Sequence, residues 1–337
     1  MTPRRAVLVG LGTYGRQWAS DCRDHKGVDL VGFVAHSERS YERAAREWGV
    51  PQDRLFMNLA EAIERTRPDF VLDVTPPSAH REVALTCFAA GVHVLGEKPL
   101  SDDADAAREI VRAGQDAGCC HMVAQVARFR ALPRMTRRLL EADRIGDPAQ
   151  LDVALFAAWA DWPGTHYVKD PYMFLIDLGC HHFDTMRYLL GKDPVSTQVV
   201  SWNLPWGWHK GDASHVAVFE FPGCRAVHRG MGCSNGKATW PGYWRIEGPK
   251  GSITWEAGRL FVGRERGLAT PECEEIDLSG YDHRPTGRIA VLEEFLSAMN
   301  EDREPECSGT DNLGTIVMTL AAAQSAREGR RVTINRM

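Results

Sequence analysis

Long hydrophobic runs and an excess of basic charge are both missing from this sequence. No apolar stretch approaches the roughly 20 residues that a membrane-spanning helix requires. The formal net charge is -5 at pH 7, which gives no electrostatic reason to expect nucleic acid or an anionic membrane as a partner. We therefore expect a protein whose partners include neither nucleic acid nor a membrane.

Paired cysteines and metal-binding spacings are missing as well. The nine cysteines include no Cys-x-x-Cys pair and no Cys/His spacing suited to zinc. The adjacent Cys119 and Cys120 have poor geometry for an ordinary disulfide. The apolar run near the N-terminus is too short and wrongly flanked for a signal peptide. These features predict a cytoplasmic protein with reduced thiols and no metal site.

The first part of the chain has the pattern of a parallel sheet. With 337 residues, 44% of them hydrophobic and without repeats, the sequence is long enough for two domains that each have a core. Short apolar runs alternate with helical patterns, which indicates parallel strands with crossover helices. The predicted strands are Ala6–Val9, Leu30–Ala35, Phe70–Thr75, Val92–Leu95 and Met122–Ala124, and the predicted helices are Tyr41–Trp48, Ala79–Ala90 and Asp102–Ala117.

Near Gln125 the pattern changes, and the remaining chain is rich in predicted antiparallel strands. Several of these strands meet at tight turns such as Pro222-Gly223. A helix is predicted around Arg134–Glu141, two more at Ile289–Asn300 and Asn312–Arg327, and a last short strand at Val332–Ile334. The predicted strands between them are Leu151–Trp159, Val195–Trp202, His215–Phe221, Cys224–Gly232, Tyr243–Glu247 and Ser252–Glu256. The domain boundary is therefore predicted near residue 125.

A glycine-rich loop, Gly10-Leu-Gly-Thr-Tyr-Gly15, follows the first predicted strand and precedes a helical segment. Gly10 allows a tight turn, Gly12 lets the backbone approach a pyrophosphate, and Gly15 permits close packing of helix on strand. Thr13 and Tyr14 complete the loop, where the amides of a helix N-terminus can bind phosphates. This loop predicts a dinucleotide site.

The end of the second predicted strand bears on the choice of cofactor. An NAD site usually places an acid about 20 residues beyond the glycine motif, but Ala35 and His36 stand at the expected tip and Glu38 lies beyond it. His36, Ser37 and Arg39 are suited to the ribose phosphate of NADP, because charge-assisted hydrogen bonds favour a dianion. We expect NAD(P)(H) as cofactor, with a preference for NADP(H); a solvated turn with an incidental arginine is the alternative.

A carboxylate and an imidazole stand four residues apart in Asp177-Leu-Gly-Cys-His181. On a helix, residues at this spacing share one face, so both side chains would project together. Such a pair suits acid–base chemistry on a hydroxyl, since imidazole ordinarily titrates at about pH 6.5. Acid–His pairs also occur on solvated helix faces, so the spacing alone leaves the function open. His182 follows the buried stripe of the same helix and is expected in the core.

Three further segments give the chain a family resemblance. Thr75-Pro-Pro-Ser-Ala-His80 and Glu97-Lys-Pro99 follow successive predicted strands of the first domain, and Asp177-Leu-Gly-Cys-His-His-Phe-Asp184 lies in the second. In this order and spacing, together with the glycine loop, they resemble the Gfo/Idh/MocA oxidoreductases, the glucose–fructose oxidoreductase and inositol dehydrogenase family. The resemblance covers essentially the whole chain.

The resemblance implies a fold and a role for individual residues. The fold is α/β, with a Rossmann dinucleotide-binding domain at residues 1–125. An α+β domain with a large, mostly antiparallel open sheet follows at residues 126–337. Lys98 matches the family lysine that reaches both nicotinamide and substrate, and Asp177 and His181 match the acidic and basic residues of the substrate site. The resemblance also places four residues at the cofactor, namely Thr75, Pro76, His80 and Glu97. It places Gln125 and Arg128 in the segment that leads into the substrate domain. We include Gln125 among the cofactor contacts and Arg128 among the substrate contacts.

The sequence departs from the family pattern just before Asp177. Many relatives have a run of glycines there, whereas this chain has Lys169-Asp-Pro-Tyr-Met-Phe-Leu-Ile176. The bulky side chains of Tyr172 and Met173 are expected to reshape the substrate pocket, with Tyr172 among its contacts. The departure puts the substrate in doubt and leaves the reaction type intact.

Most of the ten tryptophans lie in the second half of the chain. Aromatic faces stack on sugar rings, and Trp also offers a hydrogen-bond donor. Trp162, in a loop after a predicted strand, is the best candidate for a substrate contact. The Trp206-Gly-Trp208 loop is a weaker one, and the other tryptophans are expected in the sheet core or a subunit interface. So many large aromatics on one sheet predict a homodimer or homotetramer formed through it.

Together these features predict an NAD(P)-dependent oxidoreductase. It would interconvert a secondary hydroxyl and a ketone on a polyol substrate, namely a sugar, an amino-sugar or a cyclitol. Lys98 or His181 would be the general acid/base. An NAD-dependent glycoside hydrolase is one alternative, and a non-catalytic nucleotide-binding module is another. Retention of Lys98, Asp177 and His181 argues against the second, because a sensor needs no proton shuttle.

Overall fold

The structure, a computed structural model, describes residues 2–157, 171–264, 272–281 and 283–335. Contacts divide the chain into two compact units, one of Met1–Val126 with Thr286–Ile316 and one of Ala127–Pro285 with Val317–Met337. Within the described ranges, no helix has both the length and the apolar character needed to cross a membrane.

The first unit contains a six-stranded sheet in which all paired strands run parallel, in the order β3-β2-β1-β4-β5-β6. Strand order reverses between β1 and β4, the position where open α/β sheets bind ligands beyond the carboxyl ends of their strands. Its strands are β1 (Arg4–Val9), β2 (Val28–Val34), β3 (Leu55–Phe56), β4 (Phe70–Asp73), β5 (His93–Gly96) and β6 (His121–Val123).

The helices that connect these strands occur in the predicted order, and the structure adds one strand and one helix to the elements expected from sequence. They are α1 (Thr13–Asp24), α2 (Glu38–Glu47), α3 (Leu59–Thr66), α4 (His80–Ala89) and α5 (Ala104–Asp116). The sequence pattern missed β3 and α3, because two residues are too few for an alternating pattern and eight too few for a clear helical period. Helix α3 depends on Asn58, whose side chain accepts from the amide of Glu61 at 3.0 Å.

Helix α8 (Gly287–Glu301) packs with the first unit. Phe295 is fully buried and meets the ring of Phe70 on β4 edge to face, at 5.2 Å between centroids. The guanidinium of Arg4 on β1 donates to the side chain of Asn300 at 2.8 and 3.1 Å. The sequence had assigned all of residues 126–337 to the second domain, because an amphipathic pattern does not reveal which sheet a helix covers.

The second unit contains a nine-stranded sheet in the order β14-β13-β12-β11-β7-β10-β9-β8-β15. Its neighbours are antiparallel except β7 and β10, which run parallel. The strands are β7 (Gln150–Phe156), β8 (Ser196–Trp202), β9 (Ser214–Phe221), β10 (Cys224–Met231), β11 (Tyr243–Gly248), β12 (Gly251–Glu256), β13 (Arg259–Gly263), β14 (Cys273–Ile276) and β15 (Val332–Thr333). The predicted fold class is confirmed, although β13 and β14 were missed.

The second unit contains α6 (Ala131–Glu141) and α7 (Gly179–Leu190), which carries the candidate residue His181. Helix α9 (Gly309–Glu328) completes the α-helices of the described ranges. A π-helical turn, Phe174–Leu178, leads directly into α7. The core of the unit includes Trp244 and Trp255, which face each other on β11 and β12 with ring centroids 4.6 Å apart. Phe183 and Met186 of α7 belong to the same buried cluster.

Candidate active site

The glycine loop joins β1 to α1, and two of its three glycines cannot be replaced by a residue with a Cβ. Gly10 has φ +95°, and a Cβ there would lie 2.5 Å from the carbonyl oxygen of Val74. A Cβ on Gly15 would lie 2.0 Å from the carbonyl oxygen of Gly10. A Cβ on Gly12 would meet nothing within 4 Å, so this residue leaves open space at the start of α1. The loop therefore forms the cradle that a pyrophosphate needs.

Helix α1 begins at Thr13, directly after Gly12, and its N-cap residue provides no side-chain hydrogen bond. Thr13 and Tyr14 are exposed in its first turn, and Tyr14 retains 54% of its accessible surface. Because the first amides of a helix have no intrahelical acceptor, this terminus can donate to an anion. The two residues thus lie where the sequence predicted cofactor contacts.

The end of β2 presents the residues predicted to bind the NADP phosphate. His36 and Arg39 are exposed. Ser37 is the N-cap of α2, and its hydroxyl accepts from the amide of Ser40 at 3.3 Å and lies 2.9 Å from the Ser40 hydroxyl. The helix therefore already uses part of the bonding capacity of Ser37. Arg43, which the sequence reading missed, donates to the carbonyl of Leu11 in the glycine loop, and its spacing of four from Arg39 was an available signal.

His80 holds together the two loops that follow β4 and β5. Its side chain is buried, with Nδ1 2.9 Å from the carbonyl oxygen of Pro99 and Nε2 2.9 Å from that of Thr75. Thr75 in turn donates from its amide and its hydroxyl to Asp73 Oδ1, at 3.0 and 2.6 Å. The ring nitrogens of His80 are thus occupied by backbone carbonyls. Pro76 is exposed beside Thr75.

Glu97 is fixed between helix α1 and the backbone of Lys98. Its Oε1 accepts from the indole nitrogen of Trp18 at 2.7 Å, and its Oε2 accepts from the amide of Lys98 at 3.1 Å. Trp18 is fully buried on α1, and Lys98 is half-buried directly after β5. The loop that carries the predicted catalytic lysine is therefore anchored to the helix that follows the glycine loop.

Gln125 is fully buried at the end of the first unit's sheet segment. Neither atom of its side-chain amide has a hydrogen-bond partner within the described part of the chain. Buried amides are normally satisfied, since leaving one unpaired costs about 1 to 3 kcal/mol per group. Gln125 therefore offers a donor and an acceptor to a bound group. Together with the glycine cradle, this donor set fits a nicotinamide dinucleotide.

Asp177 and His181 occupy the junction between the π-helical turn and α7. Asp177 is half-buried within the turn, and His181 is buried in the first turn of the α-helix. A π-helical turn has more residues than an α-helical one, so the geometry of the pair differs from the regular helix that the sequence predicted. Such turns occur frequently at functional sites. The thiol of Cys180 donates to the carbonyl of Asp177 at 3.2 Å and connects the two helical segments.

Trp240 contacts both adjacent histidines of α7. Its ring meets His181 edge to face at 6.0 Å between centroids and stacks on His182 at 5.6 Å. The guanidinium of Arg130 lies over the same ring, 5.8 Å from its centroid. The sequence reading had placed Trp240 among the core or interface tryptophans, and no local signal distinguished it. Trp162, the tryptophan that the sequence favours as a substrate contact, lies outside the described residues.

Arg128 is engaged by the last residue of the predicted motif. Its Nε donates to Asp184 Oδ2 at 2.7 Å, and its Nη2 forms a second, very short bond to Oδ1. The side chains are 4% and 0% exposed, so each charge depends on the other; removing one partner of such a pair typically costs about 3 to 5 kcal/mol. The structure thus gives Arg128 a bond to α7 where the sequence reading expected a substrate contact. That role stays a prediction.

His182 begins a chain of three buried histidines. Its Nδ1 lies 2.9 Å from Nε2 of His228, whose Nδ1 lies 2.8 Å from Nε2 of His215. Burial lowers the pKa of His182 and of His215 to about 3, and lowers the pKa of His228 as well. The three imidazoles are therefore neutral near neutral pH. The prediction that His182 belongs to the core is confirmed, because only 2% of it is exposed.

The two bulky residues before the motif are largely buried. Met173 is 2% exposed, and Tyr172 is half-buried against the hydrophobic cluster of the second unit. Their effect on the substrate pocket stays a prediction.

Comparison with known proteins matches nearly the whole chain to two family models. Residues 4–125 match an oxidoreductase family described by its NAD-binding Rossmann fold, and residues 137–334 match the C-terminal alpha/beta domain of an oxidoreductase family. The chain is 26% identical to an inositol 2-dehydrogenase of Rhizobium meliloti, over 98% of this chain and 99% of that protein. It is 28% identical to a 1,5-anhydro-D-fructose reductase of Ensifer adhaerens, over 97% of each.

Among solved structures, the chain is similar to an oxidoreductase from Agrobacterium radiobacter in complex with NAD+, L-tartaric acid and magnesium. The TM-score is 0.87 at 22% identity, over 99% of both chains. At this identity the likeness concerns the fold.

Proposed function

This chain belongs to the Gfo/Idh/MocA family of NAD-binding oxidoreductases, and from that premise we propose that it interconverts a secondary hydroxyl and a ketone on a polyol. Its relatives include a cyclitol dehydrogenase and a sugar reductase, which supports a sugar, an amino-sugar or a cyclitol as substrate class. The observation that carries the proposal is the position of His181, buried in the first turn of α7 against Trp240 and one turn beyond Asp177.

The first unit's residues account for cofactor binding. The glycine cradle and the N-terminus of α1 would hold the pyrophosphate, and the buried amide of Gln125 would satisfy its donor and acceptor on the bound cofactor. When bound, the nicotinamide supplies the hydride acceptor or donor. His80 and Glu97 fix the surrounding loops, because their polar atoms bond to protein groups.

Proton transfer at the substrate hydroxyl is the task of the protein's own side chains. His181 takes the proton during oxidation and returns it during reduction, and Asp177 orients the imidazole or holds a neighbouring hydroxyl. Lys98 donates to the reacting oxygen and stabilises negative charge that develops there. Lys98 and His181 both remain candidates for the general acid/base.

The preference for NADP rests on two arginines of α2, Arg39 and Arg43. Arg39 is exposed at its first turn, and Arg43 is held against the glycine loop by the carbonyl of Leu11. A guanidinium binds a phosphate through paired hydrogen bonds, so Arg39 would contact the ribose phosphate. The N-terminus of α2 adds a favourable dipole for the same anion.

A homo-oligomer is supported by apolar side chains on the open face of the second unit's sheet. Val200 and Trp202 on β8 and Val218 on β9 are exposed by 62%, 39% and 41%. Exposed apolar side chains on neighbouring strands favour association. Light scattering should therefore find a dimer or tetramer in the wild type, and a shift towards monomer in V200E/V218E.

A substrate screen tests the catalytic proposal. Purified protein is incubated with a panel of sugars, amino-sugars and cyclitols, with either NAD+ or NADP+, while nicotinamide absorbance is followed. The proposal expects net reduction of the cofactor with at least one polyol. Cleavage of a glycoside with no net absorbance change would instead support the NAD-dependent hydrolase.

A further inference from the structure

Arg130, which the mechanism has not used, shares the ring of Trp240 with the candidate catalytic histidine, His181. It is the N-cap residue of α6, and part of its side chain remains open to solvent. Its guanidinium carbon lies 5.8 Å from the centroid of Trp240. The same tryptophan meets His181 at 6.0 Å between ring centroids, so one ring contacts both a positive charge and the residue assigned to the hydroxyl proton.

Among the described residues, no acidic side chain pairs with the charge of Arg130. Its side chain forms no hydrogen bond or ion pair among the described residues, and burial lowers its pKa without a contribution from any carboxylate. Three other arginines of this region have acidic partners, namely Arg137 with Glu141 at 2.7 Å, Arg187 with Asp193 at 2.6 Å, and Arg128 with Asp184. A guanidinium that pairs with no carboxylate of the protein is available to an anionic ligand.

We propose that Arg130 binds a carboxylate on the substrate, so that the substrate is an acidic polyol such as a uronate or an aldonate. The inference deepens the proposed function and rests on it. A guanidinium and a carboxylate form two parallel, charge-assisted hydrogen bonds. One guanidinium balances one negative charge, which matches a carboxylate better than a phosphate dianion. The acid group held at Trp240 then directs a hydroxyl elsewhere on the polyol towards His181.

Helix α6 offers a matched control in Arg138. Like Arg130, it is exposed and lies over an aromatic ring, 5.2 Å from the centroid of Tyr281. It belongs to no part of the candidate site. R138Q therefore reproduces the loss of one stacked, exposed guanidinium from the same helix. R130K is a second test variant, because it keeps the charge and removes the planar fork.

Calorimetric titration of the protein, saturated with NADH or NADPH, tests the inference directly. The probes are D-glucuronate with D-glucose, D-galacturonate with D-galactose, D-gluconate, and D-glucose 6-phosphate. At least one carboxylate should bind about 10- to 100-fold more tightly than its neutral counterpart. The advantage should fall to within a few-fold in R130Q, fall partly in R130K and stay unchanged in R138Q.

Several results would overturn the inference. They are binding of no carboxylate in the panel, equal affinity for acid and neutral counterparts, an acid preference that survives in R130Q, and stronger binding of the sugar phosphate than of every carboxylate. Turnover separates this inference from the proposed function. Net oxidation of neutral polyols with no acid preference refutes the carboxylate site alone, whereas Arg130-dependent acid binding without any net turnover refutes the oxidoreductase proposal alone.

Discussion

The indole nitrogen of Trp18 lies 2.7 Å from Oε1 of Glu97 and joins helix α1 to the loop that carries Lys98. The other carboxylate oxygen of Glu97 accepts from the amide of Lys98 at 3.1 Å. One carboxylate therefore connects the helix that follows the glycine loop with the backbone of the predicted catalytic lysine. Because Trp18 is fully buried, water cannot readily replace its N–H.

The Trp18 bond should matter for turnover more than for cofactor affinity. In W18F the ring remains but the donor is lost, which leaves a carboxylate oxygen unsatisfied at a cost of about 1 to 3 kcal/mol. We expect kcat to fall about tenfold as Lys98 loses its fixed position, a 1.4 kcal/mol change in barrier, with little change in KM for the cofactor. W255F is the control, since that buried indole donates to the hydroxyl of Thr136 in the second unit at 2.7 Å. Unchanged kcat in W18F would show that Glu97 holds Lys98 without this bond.

Cofactor preference should depend on Arg39. R39A is expected to weaken NADP binding by about 10- to 100-fold while leaving NAD binding nearly unchanged, because the lost hydrogen bonds are charge-assisted. R43A should weaken both cofactors, since Arg43 also holds the glycine loop through Leu11. R46A is the control on the same helix, where Arg46 pairs with Glu42 at 2.7 Å. Equal losses of NADP and NAD affinity in R39A would refute the phosphate assignment.

Removal of His181 should slow the chemical step. H181A is expected to lower kcat by about 10²- to 10⁴-fold, the usual contribution of a general acid or base. K98M measured alongside it distinguishes the two candidates, because the variant that lacks the proton-transfer group loses the pH dependence of kcat/KM. K210M, which removes an exposed lysine of the second unit, controls for loss of charge. Turnover of H181A within a few-fold of wild type would remove His181 from this role.

The three-histidine chain predicts a loss of stability in mild acid. In the unfolded chain these histidines take up protons below about pH 6.5, whereas His182 and His215 in the folded protein do so only near a pKa of about 3. Unfolding therefore binds extra protons between these values, and the free energy of unfolding should fall as pH drops. Each histidine contributes at most about 1.4 kcal/mol per pH unit.

Urea denaturation at a series of pH values between about 5 and 8 measures how steeply the free energy of unfolding changes with pH. H228N should reduce it by about one proton, because the central histidine no longer has to remain neutral. H36A, which changes an exposed histidine, should leave it unchanged. If the free energy of unfolding of H228N changed with pH as steeply as that of the wild type, the three-histidine chain would not govern acid stability.

Local sequence patterns were enough to predict the glycine loop, most strands and helices, and that a parallel sheet precedes a mostly antiparallel one in the chain. Gly15 is required by its close approach to the carbonyl of Gly10 in the same loop, so the spacing of the glycines predicts the turn. Asp177 and His181 were found from a spacing of four, although the π-helical turn was not visible in the sequence. These features all depend on residues close together in the chain.

Features that depend on distant residues could not be predicted. Arg130 and Trp240 are far apart in sequence and meet only because α6 and the segment before β11 share one unit. The parallel pairing of β7 with β10 likewise requires a long connection that no local pattern reveals. The ion pair of Arg128 was missed for the same reason, since its partner Asp184 lies far along the chain, on α7.

The contact between Phe295 and Phe70 joins the two chain segments of the first unit, which residues 127–285 of the second unit separate in the sequence. During synthesis, the ribosome must complete those intervening residues before the aromatic side chain that covers β4 exists. A fragment that ends near residue 126 would expose Phe70 to water and should aggregate or remain partly folded. No single cut therefore divides this protein into two pieces that could be expressed or exchanged independently.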